Sequence, residues 1–472
     1  MNNKISDLLK DTFIIGFGNL FSKGIIFFLI PLQTSSMSKS EYGIAEMLFN
    51  LVNILIPIFT LGIAEAGMRF CIGDDERRSK VFLIVTVIPL IGGFILALIS
   101  VPFLVVNNEY MRYFSSMFML YLFFSLKDIY LQYSKGIGNL KLFSLGSVLF
   151  SCLLISFSYY FLIIDQRGVQ GYLNAYILSN LLTVVYLLSI GGLKRYFEFS
   201  YKKIDKLLLI TMLTYSIPLI SNLLAWWITN LSNRYVLAYY NTLEDVGIYS
   251  ALVKFSLILT TVFGVFFQSW QINAAKNINM HGRSEFFSKI HNYFLVAVIV
   301  SSSLFLTTSN IIASFFIRGN FFEATMYLPG IILTGTVSCL PMYWGAIYGA
   351  IKNTKGAFYS TLFGSVGSVI FNFLLIPKYG IYGAITSTLI SYLMVTGYRI
   401  VELNRIIQIE LYLVKHLFGL SVLAVQALGL SYFSATEQIV FFNSFALIAL
   451  FMIYRKSFLH FAIFIRHRVK IV

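Results

Sequence analysis

The chain has 472 residues, of which 58% are hydrophobic and only 12% charged, with mean hydropathy +0.79; a soluble globular domain carries about twice that share of charge. Aromatic residues make up 17%, led by 46 Phe and 30 Tyr, and apolar runs of about 20 residues recur from end to end, the length that crosses a bilayer as a helix. This excludes a soluble enzyme, a disordered chain and a disulfide scaffold, and defines an all-α polytopic membrane protein. The net charge of +15 is dispersed in short loops with no basic domain, so it reports membrane topology rather than a nucleic-acid partner.

Fourteen candidate spans follow in order: 12–33, 42–68, 80–106, 113–134, 142–164, 170–193, 207–230, 246–272, 290–316, 324–350, 357–376, 380–400, 411–433 and 438–455. The opening segment has no small-residue cleavage site before its apolar stretch and reads as an uncleaved first span. Lys and Arg concentrate at the N-terminus, in the even-numbered loops and at the C-terminus, for example Arg77, Arg78, Lys80, Lys202, Lys203, Arg466 and Arg468. The odd-numbered loops carry only Lys39, Arg112, Arg167, Arg234, Arg318 and Lys378. This asymmetry places both termini in the cytoplasm and requires an even number of spans.

The chain also resembles itself. Glu41-Tyr42-Gly43-Ile44 before the second span matches Asp245-Val246-Gly247-Ile248 before the eighth, and Gly168-Val169-Gln170-Gly171 before the sixth matches Gly380-Ile381-Tyr382-Gly383 before the twelfth. Each pair is six spans apart, so the copies share one orientation, as in transporters built from parallel six-helix repeats. The expected organisation is a six-helix lobe over 1–193, a basic cytoplasmic linker over 194–206, a second lobe over 207–403 and, over 404–472, a helix pair appended outside the repeat with a basic tail. The linker charges suit anionic headgroups.

A charge inside hydrocarbon costs at least about 2.5–3.5 kcal/mol, so the deepest charges are the candidate site. Lys23 lies about 16 Å into the first span, Lys254 about 12 Å into the eighth, and Lys127 and Asp128 about 10 Å from the inner end of the fourth. Lys127 and Asp128 point about 100° apart and do not face each other. A cavity lined by lysines from both lobes suits an anionic, phosphate-bearing substrate; snorkelling or internal pairing is the alternative for each. Glu46, about one turn from the outer end of its span, is expected to be solvated and, with Asp128, is a candidate for ion coupling. Glu65 is expected to pair with Arg69. Asn50, Asn53, Asn180, Asn222, Gln268 and Asn372 are intramembrane hydrogen-bonding groups for a sugar or for helix contacts. Trp226, Trp227, Trp270 and Trp344 suit an interfacial belt or stacking on sugar rings. The prolines Pro31, Pro57, Pro89, Pro218 and Pro341 bend spans. Cys71, Cys152 and Cys339 read as packing residues, and His281, His291, His416, His460 and His467 as loop or span-end residues. No phosphate-binding Walker loop, metal-ligand set or outer catalytic domain is present in the sequence, so neither an enzyme nor a cofactor is expected.

Two segments carry a family resemblance. LTYSIPLISNLLAWWITNLSNRYVLAYYNTLEDVGIYSALVKF, Leu213–Phe255, and NTKGAFYSTLFGSVGSVIFNFLLIPKYGIYGAITSTLISY, Asn353–Tyr392, resemble bacterial polysaccharide-export flippases of the Wzx type, in the multidrug/oligosaccharidyl-lipid/polysaccharide exporter superfamily. The resemblance extends over residues 1 to about 400. It implies two six-helix bundles of the MATE/MurJ kind and alternating access. It also implies movement of an undecaprenyl-diphosphate-linked oligosaccharide, for O-antigen, capsule or a similar glycan, across the bacterial inner membrane, with a glycan polymerase and a chain-length regulator as partners. Lys23, Lys127, Lys254 and Arg234 would then meet the diphosphate, and Asn50, Asn53, Asn222, Trp226, Gln268 and Asn372 the sugar. Where the family often has Asp-Arg after the seventh span, this chain has Asn233-Arg234. The rival readings are an organic-cation exporter of the same superfamily, a peptidoglycan-precursor flippase, and a non-transporting organiser of glycan enzymes.

Overall fold

The computed structural model describes residues 24–25, 27–72, 77–104, 112–197, 205–433 and 435–469, without the side chains of 101–104, 222 and 458–469. The described residues are almost wholly helical, and twelve helices among them are long and apolar enough to cross a membrane. The chain packs as two units that divide between Trp227 and Ile228.

Unit 1 begins with the visible end of the first span, α1 (27–36). It continues through α2 (Lys39–Phe59), α3 (Ile63–Phe70), α4 (Arg78–Leu104), α5 (Phe114–Gly136), α6 (Leu140–Ser158) and α7 (Gly168–Leu188) into the start of α8 (Lys206–Tyr240). The expected span 42–68 is in fact two helices. Pro57 lies in the last turn of α2, and Leu61 and Gly62 take φ values of 52° and 62° before α3 starts. Ser216 Oγ of α8 donates to the Leu61 carbonyl that the break exposes, at 2.7 Å. α6 runs into a π-helical turn, Tyr159–Ile164, before the reversal into α7. The core of the unit is apolar and aromatic: Val81, Phe82, Tyr130, Tyr133, Leu187 and Met212 form one buried cluster. The visible part of the basic linker is docked here, because Leu193 is buried in that cluster and the Tyr196 ring lies 5.6 Å from that of Tyr133. Lys202 and Lys203 lie outside the described residues.

Unit 2 holds the rest of α8, α9 (Leu243–Asn277), α10 (Arg283–Phe316), a 3-10 turn (Gly319–Tyr327), α11 (Leu328–Ala350), α12 (Thr354–Ile407), α13 (Leu413–Tyr432) and α14 (Thr436–Val469). α11 is central, packed on α9, α10, α12 and α13. α12 contains the eleventh and twelfth spans, folded back at Gly380, whose φ 53° and ψ −127° no helix contains. Its halves are antiparallel: Ser387 Oγ donates to Ser368 O at 3.2 Å, and a Cβ on Gly364 would collide with Val395. Small residues along this seam let the two backbones approach, the usual means of helix association in lipid.

The C-terminal pair, α13 and α14, packs against α10 within unit 2. Ser303 Oγ of α10 donates to Gln426 Oε1 of α13 at 2.8 Å, and Gln426 Nε2 donates to Asn443 Oδ1 of α14 at 2.9 Å and to Thr307 Oγ1 at 3.2 Å. Lys415 adds bonds to Asn292 and Ser457 at 3.2 and 3.0 Å. Two further expectations change. Trp270 and Trp344 are core residues, 3% and 1% exposed, with Trp270 Nε1 donating to Tyr343 O at 3.0 Å. His291 and His416 are likewise buried within α10 and α13, their rings 6.1 Å apart. Cys71 and Cys339 are buried, but Cys152 is exposed.

Candidate functional site

In unit 1 two of the charged candidates, Glu46 and Lys127, lie at the two ends of an aromatic column. α2 starts with a capping box, the Ser38 hydroxyl accepting from Glu41 N while the Glu41 carboxylate accepts from Ser38 N, which satisfies two of the helix's free amides. Five residues along the helix from Glu41, Glu46 is buried, not solvated. Its Oε1 accepts from the hydroxyls of Tyr42 and Tyr172, each at 3.1 Å. Burying a carboxylate is costly unless it is hydrogen-bonded, and two tyrosines supply that bonding. The Tyr172 ring packs edge-on to Phe49 at 6.3 Å, Phe49 stacks on Phe124 at 6.0 Å, and Lys127 Nζ sits 4.4 Å from the centre of Phe124 and 4.1 Å from that of Phe150. Lys127 is itself buried, so two aromatic faces hold its ammonium within the lobe, the attraction of a cation for a ring quadrupole being strongest when both are desolvated. Asp128 is half-buried and forms no ion pair with Lys127, in keeping with their divergent directions on α5. Glu65 and Arg69 likewise form no ion pair with each other.

The sugar candidates of unit 1 point to helix contacts. Asn50 is buried, its carbonyl accepting from Trp227 Nε1 at 3.2 Å and its Nδ2 left without a partner. Asn53 bonds back to Phe49 O at 2.9 Å, as Asn180 does to Tyr176 O at 2.7 Å. Trp226 is 57% exposed. Lys23 lies outside the described residues, as does the side chain of Asn222.

In unit 2, Arg234 and Asn233 lie near the end of α8 and are both buried. Arg234 Nε donates to Ser250 Oγ at 2.9 Å and Nη1 to Asn230 O at 3.2 Å, with the guanidinium over the Tyr249 ring. Asn233 Nδ2 donates to the Tyr249 hydroxyl at 2.5 Å and to Thr388 Oγ1 at 3.3 Å. Asn372 Nδ2 donates to Ser232 Oγ at 3.0 Å. The side-chain oxygens of Asn233 and Asn372 are both buried without a hydrogen-bond partner, so each is an unused amide acceptor in a low-dielectric interior. Lys254 is half-buried and Gln268 exposed. Among the described residues no cluster of His, Cys, Asp or Glu could hold a metal ion.

One cation escaped the sequence reading. Arg399 lies eight residues before the end of α12, about 12 Å along the helix. It donates to Ser360 Oγ at 3.0 Å, Pro341 O at 2.8 Å and Thr361 Oγ1 at 3.3 Å. Near it Glu402 accepts from the Tyr348 hydroxyl and from Asn353 Nδ2, the latter at 3.0 Å. Drawing the twelfth span to end at 400 puts Arg399 at its rim; the residues that receive it are 38 to 58 positions away and carry no sequence signal.

Outside the spans, Asp205 caps α8. The amide of Leu208 and the Lys80 ammonium, at 3.1 and 3.4 Å, hold its carboxyl below the usual range.

Residues 8–272, more than half the chain, match the family model described as polysaccharide biosynthesis protein. The chain belongs to that family. No curated protein matches it in sequence. Among solved structures it is similar to the lipid II flippase MurJ in an inward-closed conformation, at 17% identity and TM-score 0.68, covering 94% of this chain and 99% of that one. It is also similar to an inward-facing multidrug-resistance MATE family transporter of the MOP superfamily, at 14% identity and TM-score 0.66, covering 84% and 95%. A third likeness is to a MOP superfamily transporter from Pyrococcus furiosus, at 12% identity and TM-score 0.57, covering 85% and 97%. At these identities the likeness is one of fold, and it places this member of the polysaccharide biosynthesis family in the MurJ/MATE architecture.

Proposed function

We propose that the chain is a flippase that carries an undecaprenyl-diphosphate-linked oligosaccharide from the cytoplasmic to the outer leaflet of a bacterial inner membrane by alternating access, with both termini in the cytoplasm. The observation that carries this reading is the family match over 8–272 on a fold shared with MurJ and MATE transporters. Export of O-antigen or capsule units, consumed by a glycan polymerase under a chain-length regulator, fits a polysaccharide biosynthesis protein whose polar groups bind and position. Lys23 and Lys254 are the proposed contacts to the diphosphate. Lys127 and Arg234, buried within their lobes, act on it through the field they set up inside the protein, where charge is poorly screened. Glu46 and Asp128 are the proposed groups for ion coupling, and Asn222, Trp226, Gln268 and Asn372 the proposed sugar-facing set, Asn50 and Asn53 being engaged in helix contacts.

The test is a deletion strain whose lipid-linked sugars are assigned to a leaflet with a membrane-impermeant probe on sealed spheroplasts. Complete repeat units trapped inside, released by the wild-type gene but not by Lys254→Ala or Lys23→Ala produced at equal level, support the reading. Units reaching the outer leaflet normally, with drug susceptibility changed, would move the organic-cation exporter forward; arrested peptidoglycan synthesis would identify the precursor flippase.

A further inference from the structure

α10 and α13 each turn a buried histidine towards the other. His291 lies eight residues into α10 and His416 three residues into α13, and the rings are 6.1 Å apart. Neither ring is fully bonded. His291 Nδ1 and His416 Nε2 are buried with no hydrogen-bond partner among the described residues, while His416 Nδ1 lies 3.4 Å from the Tyr454 hydroxyl of α14. The surroundings supply no anion. α11 contributes Tyr343, whose hydroxyl is committed to Phe287 O at 2.7 Å, and the Trp344 ring, 5.3 Å from that of His291. α13 contributes Lys415, a cation next to His416 that is held by Asn292, Ser457 and the Tyr454 ring. The carboxylates at this end are engaged elsewhere, Glu285 by Lys289 at 2.5 Å and Glu410 by the Tyr412 hydroxyl.

A neutral imidazole suits this site, because one of its nitrogens can stay bare. An imidazolium does not, because both of its nitrogens are donors. A proton on either ring would set an N–H and a charge against aromatic side chains and a neighbouring ammonium, which is costly where water is excluded. Moving α13 and α14 off α10 lets water receive the new N–H. We infer that the His291–His416 pair is a proton-sensitive latch that fastens the C-terminal helix pair to α10. A solvated imidazole takes its proton near pH 6.5, so the latch is at full strength above about that pH and weakens as the pH falls below it. Gln426 fastens the same helices further along through amide and hydroxyl groups that do not titrate, so acid loosens the histidine end of the pair first. Neither the cargo nor the direction of transport enters this assignment.

The test is hydrogen exchange of the full-length protein in detergent at pH 7.5 and pH 5.0, corrected for the intrinsic rate with an unstructured peptide. Between these values a ring that gains its proton only on opening favours the opened form by about 30-fold. Amides of α13 around His416 and of α14 around Tyr454 should lose protection by at least that factor. His291→Phe and His416→Phe should each remove part of the pH effect, and the double variant all of it, with protection at pH 7.5 retained. A second measurement needs no substitution and so holds even if the double variant fails to fold: with histidine labelled with carbon-13, two of the five ring signals should keep the neutral form at pH 5.0 in molecules whose α13 is still protected. Protection that does not change with pH, protection that falls equally in the folded double variant, or a charged ring at either position while α13 stays protected would each overturn the proposal.

Discussion

Gly168 and Gly380, 212 positions apart, open the sixth and twelfth spans with φ values of 50° and 53°. Three residues on, Gly171 and Gly383 each press against a carbonyl of the preceding helix: a Cβ would stand 2.9 Å from Phe161 O in one case and 2.5 Å from Leu375 O in the other. The repeat is thus a repeat of backbone geometry. Gly168→Ala and Gly380→Ala should each lower stability by about 1–3 kcal/mol, seen as a drop of several degrees in the detergent melting midpoint. Gly383→Ala should cost more, because its Cβ meets backbone that cannot swing aside.

Glu46 offers a second test. Tyr42 and Tyr172 both donate to its Oε1, and a hydrogen bond to a charged group is worth about 1.5–3 kcal/mol. Tyr42→Phe and Tyr172→Phe should each lower the melting midpoint, and the double variant should lose more than the sum, since only then does that oxygen lose both hydroxyls. Strict additivity in a double-mutant cycle would show that the two tyrosines act separately.

The C-terminal pair is predicted to be held by Gln426. Gln426→Leu removes the partner of Ser303 and Asn443 at once, at a cost of about 2 kcal/mol for bonds of this kind in lipid. Hydrogen exchange should rise in α13 and α14 while α4 to α7 keep their protection; unchanged exchange in α13 would mean that apolar packing alone docks the pair.

Thiol chemistry should separate the three cysteines. Burial pushes the Cys71 thiol up to about 12, from a usual value of about 8.5, so at pH 9 only about one part in a thousand is thiolate. The neutral form is favoured in the fold, and that contribution to stability is present below about pH 8.5 and is lost as the pH rises towards 12. In detergent, maleimide should modify exposed Cys152 first, whereas Cys71 should label at about pH 7 or 9 only after denaturation. Mass spectrometry of the peptides reads this directly.

The spans were legible because a bilayer forces each one to be apolar and helical whatever its neighbours, and the expected break between the eleventh and twelfth falls at Gly380 as the repeat requires. The capping box Thr242/Asp245 of α9 reproduces that of Ser38/Glu41 in α2, which is why the resemblance at those positions survived in sequence. The break at Leu61–Gly62 was not legible, since it depends on Ser216, 155 residues away, receiving the freed carbonyl. The candidate site was legible as a set of residue types and hardly at all as a set of directions. A hydrophobic helix has no polar face to orient it, so nothing in the sequence told that Glu46 turns to two tyrosines, Lys127 to two phenylalanines, or His291 and His416 towards each other. Arg399 was hidden for the same reason.

Arg399 has a consequence for how the chain is made. Alone in a nascent helix it would oppose partition from the translocon by about 2.5–3.5 kcal/mol, and what offsets that opposition lies on the other half of α12, in the hydroxyls of Ser360 and Thr361, and on α11, in the Pro341 carbonyl. Integration of the twelfth span is therefore expected to be eased when the eleventh, turned back at Gly380, and α11 are already beside it. A long insertion at that glycine would be felt first at the ribosome-bound stage, as less efficient integration of the twelfth span, before any question of transport arises.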